Sequence, residues 1–295
     1  MTCLNFHLLR HLTENEWYST LEREEEKDMD KRILFFDIDG TLIDEEKDIV
    51  PESAVQALKK AKENGSLLFL CSGRCLAIIP EDIMALGFDG MVGGCGTYIE
   101  IGGVEVYHHV LPEDLQKEVV QDLMRYHIDG VLEGRDCSAF RHDYWMPVVK
   151  SIFKENGIFA EKASFSSRTQ CFWEEEFSFD KMALWFDESS DMESFRRKYE
   201  KDFEFIQRDP TFYEVVPRGI SKATGIQFVC QRLGVDIGQS IAFGDSANDI
   251  SMLKAAGLSV AMGGGNPILF DQVDYVTDPV MEDGIANAMK HFNII

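Results

Sequence analysis

Short apolar runs, each followed by a polar turn, recur along the chain. Ile33–Phe36 and Leu67–Cys71 have the length and the continuous apolar character of buried strands. Between them, residues 53–64 carry apolar positions at helical spacing and end at Gly65. A second helical stretch, to Leu86, is expected after the next turn. The alternation of strands and helices predicts parallel strands joined by right-handed crossovers.

The C-terminal part repeats this alternation. Strands are predicted at 240–243, 258–262 and 275–277, and helices at 221–233, 250–256 and 284–292. Both parts together predict an α/β protein whose Rossmann-like core has three layers around a parallel sheet. We assign this core to residues 31–89 and 213–295.

The middle of the chain, residues 90–212, has a different pattern of predicted strands and helices. Short strands are predicted at 97–101, 104–108, 181–186 and 203–206, and they mix with helices at 112–127 and 192–201. Such a mixture indicates an α+β unit. We interpret it as a cap domain inserted into the core.

Residues 1–30 differ from both parts. The segment Glu22–Asp30 is almost wholly charged and cannot pack a core. One hypothesis is that translation begins at Met29 and that the preceding residues are an appendage; the alternative is a short helical N-terminal extension. The intact mass of the native protein distinguishes the two.

Composition narrows the possible partners and the location. Among 295 residues the net charge is −23, which disfavours nucleic acid and anionic membranes. No apolar run approaches the roughly 20 residues that span a bilayer. The seven scattered cysteines are typical of reduced thiols. We therefore expect a cytoplasmic protein. A monomer or a homodimer is expected as well, although no feature of the composition chooses between them.

Two carboxylates follow the first strand, in Asp37-Ile38-Asp39-Gly40-Thr41. In a turn, both can reach the crevice at the carboxyl ends of parallel strands. One can then act as a nucleophile and the other as a general acid. The alternative is an ordinary Asx turn closed by Gly40.

Two further positions suit a phosphate group. Ser72 and Gly73 follow the second strand, where a hydroxyl and free backbone N–H groups can bind it; a plain N-cap is the alternative. Lys222, near the start of a predicted helix, offers a compact positive charge. Its alternative is a solvated surface lysine.

The turn Gly244-Asp245-Ser246-Ala247-Asn248-Asp249 offers oxygen ligands of the kind that Mg²⁺ prefers. Asp245 comes directly after a strand. Asp249 lies four residues on, at the spacing of one helical turn, so that it stays near Asp245. The alternative is an acidic helix N-terminus that complements the helix dipole.

In this order and on these elements, the four motifs resemble the haloacid dehalogenase superfamily of phosphatases. The resemblance covers residues 32–290. The long insertion between Ser72 and Lys222, with its mixed texture, is similar to the C2B cap of the Cof-type group. One departure is visible, because that group often has an Asn-Gly pair where Cys95-Gly96 stands here.

The resemblance implies roles for the motif residues. Asp37 would attack phosphorus and form an aspartyl-phosphate, while Asp39 would protonate the leaving oxygen and then activate water. Mg²⁺ would be held by Asp37, the main-chain carbonyl of Asp39 and Asp245, with Asp249 supporting the metal site. The phosphoryl oxygens would be bound by Ser72, Gly73, Lys222 and Asn248.

The resemblance implies a phosphatase acting on a small phosphate ester: a sugar phosphate, a nucleotide or a cofactor phosphate. Arg74 and Arg218, beside motif residues, are candidates for binding the substrate. Further cap candidates are Arg135, Arg141, His142 and Arg208. A sugar phosphomutase of the same fold and a non-catalytic phosphate or Mg²⁺ sensor remain the alternative functions.

Overall fold

The structure is a computed structural model that describes residues 32–44, 47–141, 146, 169–173 and 175–295. The predicted N-terminal extension, residues 1–30, lies outside this part. The strands are β1 Ile33–Phe36, β2 Leu67–Cys71, β3 Gly90–Gly93, β4 Tyr98–Ile101, β5 Val104–His108, β6 Asp129–Glu133, β7 Cys137–Phe140, β8 Thr169–Phe172, β9 Lys181–Trp185, β10 Phe203–Asp209, β11 Phe212–Pro217, β12 Ser240–Gly244, β13 Leu258–Ala261 and β14 Tyr275–Val276. The α-helices are α1 Glu52–Glu63, α2 Glu81–Met84, α3 Glu113–Arg125, α4 Met192–Tyr199, α5 Lys222–Arg232, α6 Ile250–Ala255 and α7 Gly284–His291.

The first sheet has the strand order β14-β13-β12-β1-β2-β3-β4-β5. The strands from β14 to β3 run parallel, whereas β4 and β5 are antiparallel additions at one edge. All the parallel strands therefore end at the same edge of the sheet, which is where ligands bind in folds of this kind.

Alternating residues of the central strands build two hydrophobic cores, one on each face. Leu34 and Phe36 pack on one side with α1 and α7, while Ile33 and Phe35 pack on the other with α5 and α6. Both faces are covered, so the strands are apolar throughout, as parallel strands usually are. The predicted three-layer α/β core is confirmed.

The second sheet has the strand order β10-β11-β9-β6-β7-β8. Its strands are antiparallel except for the pair β7–β8. Met182 and Leu184 of β9 pack against α3 and α4. Lys181 and Ala183 point to the opposite face, because side chains alternate along a strand. That opposite face carries the residues that meet the first sheet.

The predicted continuous helical stretch to Leu86 is wrong. The structure has a 3₁₀ turn at Leu76–Ile78 and the short helix α2 instead. Pro80 separates them, because proline lacks an N–H and disfavours a helical conformation in the preceding residue. Ile79 accordingly adopts φ −78° and ψ 125°.

The two sheets divide the chain differently from the predicted cap limits of 90 and 212. Strands β3, β4 and β5 extend the first sheet, although they lie beyond residue 90. Strand β11 belongs to the second sheet and runs to Pro217. A strand belongs to the sheet with which it forms hydrogen bonds. The residue pattern within a strand does not reveal which strand it pairs with. We therefore propose that the inserted domain spans residues 109–217.

Within the described residues, no helix is both long enough and apolar enough to cross a membrane.

We predict that Gly225→Ala destabilises the protein although alanine is the better helix former. A Cβ at Gly225 in α5 would lie 2.3 Å from Cγ1 of Val92 in β3. Overpacking of this kind costs about 1–3 kcal/mol, more than the helical gain of about 0.5–1 kcal/mol. A lower urea midpoint than wild type is expected. The exposed Gln227→Ala in the same helix is the control, and equal midpoints for both variants would contradict the prediction.

Candidate active site

Asp37 and Asp245 come directly after two neighbouring parallel strands, β1 and β12. The Asp37 N–H donates to the carbonyl of Phe243 at 3.0 Å, which holds the first turn against the second strand. Gly40 has φ +69°, and a Cβ there would lie 2.4 Å from Oδ2 of Asp245. Glycine is thus required where the first turn passes beside this carboxylate.

Lys222 is buried between two carboxylates. Its Nζ donates to Oδ1 of Asp37 at 2.7 Å and to Oδ1 of Asp249 at 2.6 Å. The lysine lies in the first turn of α5, which Ser221 and Thr224 begin with a reciprocal capping box. Burial lowers the pKa of Lys222, but the charges of Asp249 and Asp37 outweigh burial and hold the pKa well above its usual value.

Asp249 shapes the fourth motif. Its Oδ2 accepts hydrogen bonds from the N–H groups of Asp245 and Ser246, each at 3.0 Å. A Cβ at Gly244 would lie 2.6 Å from the Cβ of Asp249, so the turn needs a glycine there. One oxygen of Asp249 accepts a hydrogen bond from Lys222, and the other accepts from the backbone N–H groups. Asp249 therefore fixes the backbone position of Asp245 beside Lys222.

The donor set suits a divalent cation. Asp37, Asp245 and Asp249 offer carboxylate oxygens that lie within 4.8 Å of one another. One ammonium group, Lys222, does not balance three carboxylates, and buried charges need compensation. Oxygen ligands with excess negative charge are what Mg²⁺ binds best. The predicted metal residues thus come together, and Asp39 follows on the same turn.

The pKa of Asp37 is also consistent with a cation at this site. Burial, followed by the negative charge of Asp249, raises the pKa of Asp37 to about 7, although Lys222 opposes the shift. A carboxylate nucleophile must be ionised to attack. A cation beside Asp37 would favour the ionised form.

Asp39 is held by Arg74 through two bonds. Nε of Arg74 donates to Oδ2 of Asp39 at 2.9 Å, and Nη2 donates to Oδ1 at 2.6 Å. Two parallel bonds of this kind fix the orientation of a carboxylate as well as its position. The structure therefore places Arg74, which the sequence suggested as a substrate ligand, on the predicted acid–base residue.

The predicted phosphate-binding residues lie on both sides of Asp37. Ser72 is 1% exposed, and its Oγ accepts from the N–H of Arg74 at 3.2 Å. A Cβ on Gly73 would lie 3.4 Å from Nδ2 of Asn248, so the second and fourth motifs meet there. Lys222, the remaining predicted phosphate ligand, lies beside this group because it donates a hydrogen bond to Asp37.

A cavity of about 200 Å³ lies between the two sheets. This is below the range of about 300–1,000 Å³ for sites that bury drug-sized ligands, which favours a small substrate. The lining residues are Asp37, Asp39, Gly73, Arg74, Ile78, Ser246 and Asn248 from the core, and Glu133, Lys181, Ala183, Arg208, Phe212 and Glu214 from the cap.

A buried ion cluster forms the cap side of this cavity. Lys181 and Glu133 face each other across β9 and β6, with an Nζ to Oε2 distance of 3.2 Å. Nζ of Lys181 also donates to Oε1 of Glu214 and to the carbonyl of Gly73, both at 2.7 Å. Burial raises the pKa of Glu214, but Lys181 and Arg208 together bring it well below its usual value. The cluster thereby ties the cap to the second motif.

Several predicted substrate residues lie elsewhere. Arg218 donates to the carbonyl of Glu200 and is absent from the cavity lining, so the structure does not place it on the substrate. Arg135 pairs with Glu105 at 3.0 Å. Arg141 lies over the ring of Trp173. His142 is outside the described residues, and Arg208 does line the cavity.

Sequence reasoning did not find Glu133, Lys181 and Glu214. A signal existed, because each is a charged residue within or at the end of an apolar strand segment. Charges in such a place are rarely buried without a partner. Recognising the partners requires the strand register, which the sequence did not supply.

Comparison with known proteins identifies the family of the chain. Residues 34–289 match the haloacid dehalogenase-like hydrolase family. YkrA of Bacillus subtilis (strain 168), named as a phosphatase, is 30% identical over 90% of this chain and all of that protein. The 5-amino-6-(5-phospho-D-ribitylamino)uracil phosphatase YcsE of the same organism is 28% identical over 90% of this chain and 97% of that protein.

A solved structure gives the same answer for the fold. It is described as the HAD subclass IIB sugar phosphatase BT4131, and it is 28% identical with a TM-score of 0.74. The match covers 90% of this chain and all of that one. The chain therefore belongs to the haloacid dehalogenase-like hydrolases. The predicted resemblance to Cof-type phosphatases with an inserted cap is confirmed.

We predict that Lys222→Met is strongly destabilising. The change leaves the buried Asp37 and Asp249 without their shared cation, and breaking a buried pair costs about 3–5 kcal/mol. Urea denaturation of the purified variant measures the loss. Lys254→Met, an exposed lysine in α6, is the matched control and should stay within about 0.5 kcal/mol of wild type. Equal midpoints for the two variants would contradict the buried ion pairing.

Proposed function

We propose that this protein is a Mg²⁺-dependent phosphatase that hydrolyses a small phosphate monoester through an aspartyl-phosphate on Asp37. The observation that carries the proposal is the buried contact of Asp37 with Lys222, beside Asp245 and Asp249, with Asp39 in the same cavity. This arrangement combines a nucleophile, an acid–base group and an oxygen-ligand site for a cation.

In the first step, a carboxylate oxygen of Asp37 attacks phosphorus and the bond to the leaving alcohol breaks. Asp39 gives its proton to the departing oxygen, so that a neutral alcohol leaves. The two N–H groups of Arg74 then orient the carboxylate that remains on Asp39. Lys222 and the amide of Asn248 stabilise the charge that spreads over the phosphoryl oxygens.

In the second step, Asp39 accepts a proton from water. The water oxygen attacks phosphorus, and the bond from phosphorus to the Asp37 oxygen breaks. Inorganic phosphate and the free Asp37 carboxylate result. One carboxylate thus serves as acid and then as base, which requires that it stay beside the phosphoryl group throughout.

Asp37, Asp245 and the main-chain carbonyl of Asp39 would hold Mg²⁺, and Asp249 would support them through the backbone of the fourth motif. The cation would neutralise part of the charge when a phosphate approaches several carboxylates. Ser72 and Gly73 would bind the phosphate from the other side.

The substrate is a small soluble ester in this proposal. The relatives reported above are named for a sugar phosphate and for a phosphorylated ribitylaminouracil, which are both polar metabolites. The limited cavity volume and the strongly acidic surface also argue against a nucleic-acid substrate. A cytoplasmic location and a monomeric or homodimeric state remain predictions.

Asp37→Asn tests the nucleophile. With MgCl₂ and a panel of small esters, phosphate release should fall by at least about 10³-fold, because the amide cannot form the acyl-phosphate. Wild type in EDTA should be inactive and should recover when Mg²⁺ is restored. Asp271→Asn, an exposed aspartate outside the cavity, is the matched control. Full turnover by Asp37→Asn would overturn the mechanism.

Asp39→Asn tests the acid–base assignment. With p-nitrophenyl phosphate the leaving group needs little protonation, so the first step should persist while water activation fails. We expect a burst of nitrophenolate equal to the enzyme concentration, followed by a steady state slower than wild type by about 10²–10⁴-fold. Stopped-flow absorbance measures both phases. A steady-state rate equal to that of wild type would exclude Asp39 as the base.

A further inference from the structure

Arg208 occupies an irregular position in the cap sheet. In the pairing of β10 with β11, Gln207 faces Tyr213 and Asp209 faces Phe212, so Arg208 is the extra residue of a β-bulge. Bulges are common beside active sites. The side chain of Arg208 lines the cavity between the sheets.

The guanidinium of Arg208 is oriented by one residue from each sheet. Its Nη1 donates to Oε2 of Glu214 in the cap at 3.0 Å, and its Nη2 reaches Oγ of Ser246 in the core at 3.4 Å. A guanidinium has five N–H donors. The remaining three meet no acceptor among the residues that the structure describes.

The other cations of the cavity are more fully engaged. Lys181 donates hydrogen bonds to Gly73 and Glu214, and its Nζ also lies 3.2 Å from Oε2 of Glu133. Arg74 donates twice to Asp39 and once, from Nη1, to the carbonyl of Ile78 at 3.4 Å. Among the described cavity residues, Arg208 is therefore the cation with most donor capacity left, and it lies on the cap side, where the leaving group of the ester must be.

The charge balance on that side limits what Arg208 can bind. Arg208 and Lys181 are matched by Glu133 and Glu214, so the cap wall has no net positive charge. A carboxylate or a second phosphate on the leaving group would add uncompensated negative charge beside two buried carboxylates. A hydroxyl or carbonyl oxygen would accept from Arg208 without this cost.

We propose that Arg208 is the specificity-determining residue of the cap and that it donates hydrogen bonds to an uncharged oxygen of the leaving group. The inference rests on the phosphatase function proposed above. Glu214 is a positioning residue, because it holds the guanidinium from behind and anchors Lys181. The Oγ of Ser246 donates to Oδ1 of Asn248 at 2.7 Å, so Arg208 also connects the leaving group to the phosphate side.

Three esters test the inference: glycerol 3-phosphate, which carries hydroxyl groups, propyl phosphate, which lacks them, and 3-phosphoglycerate, which carries a carboxylate. We expect wild type with Mg²⁺ to show a kcat/KM for glycerol 3-phosphate at least about tenfold above that for either other ester. In Arg208→Met the ratio of glycerol 3-phosphate to propyl phosphate should fall to near one. A ratio is insensitive to partial loss of folded enzyme.

Arg218→Met is the matched control, since it removes an arginine that directly follows the cap and lies outside the cavity, and its ratio should equal that of wild type. A wild-type ratio near one, a ratio that survives Arg208→Met, or a preference for 3-phosphoglycerate would overturn the inference and leave the phosphatase function standing. Absence of turnover with all three esters, in folded protein with Mg²⁺, would contradict both.

Discussion

The structure depends on one buried lysine placed between two buried carboxylates. Lys222 joins Asp37 at the end of β1 to Asp249 in the turn after β12, across 185 and 27 residues of chain. A buried charge without a partner is costly, so the three groups hold each other in place. The carboxylates still outnumber the ammonium group, and this residual charge is what makes the centre suitable for a cation and then for phosphate.

A second buried ion cluster, centred on Lys181, holds the cap side of the cavity in place as Lys222 holds the core side. Lys181 crosses from the cap sheet to the carbonyl of Gly73, beside the phosphate-binding turn. Its partners Glu133 and Glu214 come from the strands on either side of β9. The cap is therefore joined to the core through polar contacts at the cavity itself, where displacement of the cap would also expose the site.

The sequence predicted that the motif residues converge, because several of them follow strands directly. Asp37, Ser72 and Asp245 each stand one position after a parallel strand, and parallel strands bring such positions to one edge of the sheet. Local signals failed where tertiary pairing decides. The strands β4 and β5 resemble the cap strands in composition, but β4 pairs with β3 and β5 pairs with β4 in the first sheet. Arg218 stands near Lys222 in the sequence, but its side chain donates to a backbone carbonyl of the cap.

The residues on the cap side of the cavity are brought together by a different constraint, the register of the cap strands. Glu133, Lys181 and Glu214 share one face of the cap sheet, because Glu133 is opposite Lys181 and Glu214 is opposite Ala183. A shift of one position in the strand pairing would turn these charged side chains to the apolar face. Arg208 lies on this face as well, because it follows Ile206, the partner of Glu214, by two residues. We infer that the motif residues can be retained while substitutions in the cap sheet change the leaving group that is accepted. The relatives YcsE and BT4131, which are phosphatases named for different substrates, agree with this separation.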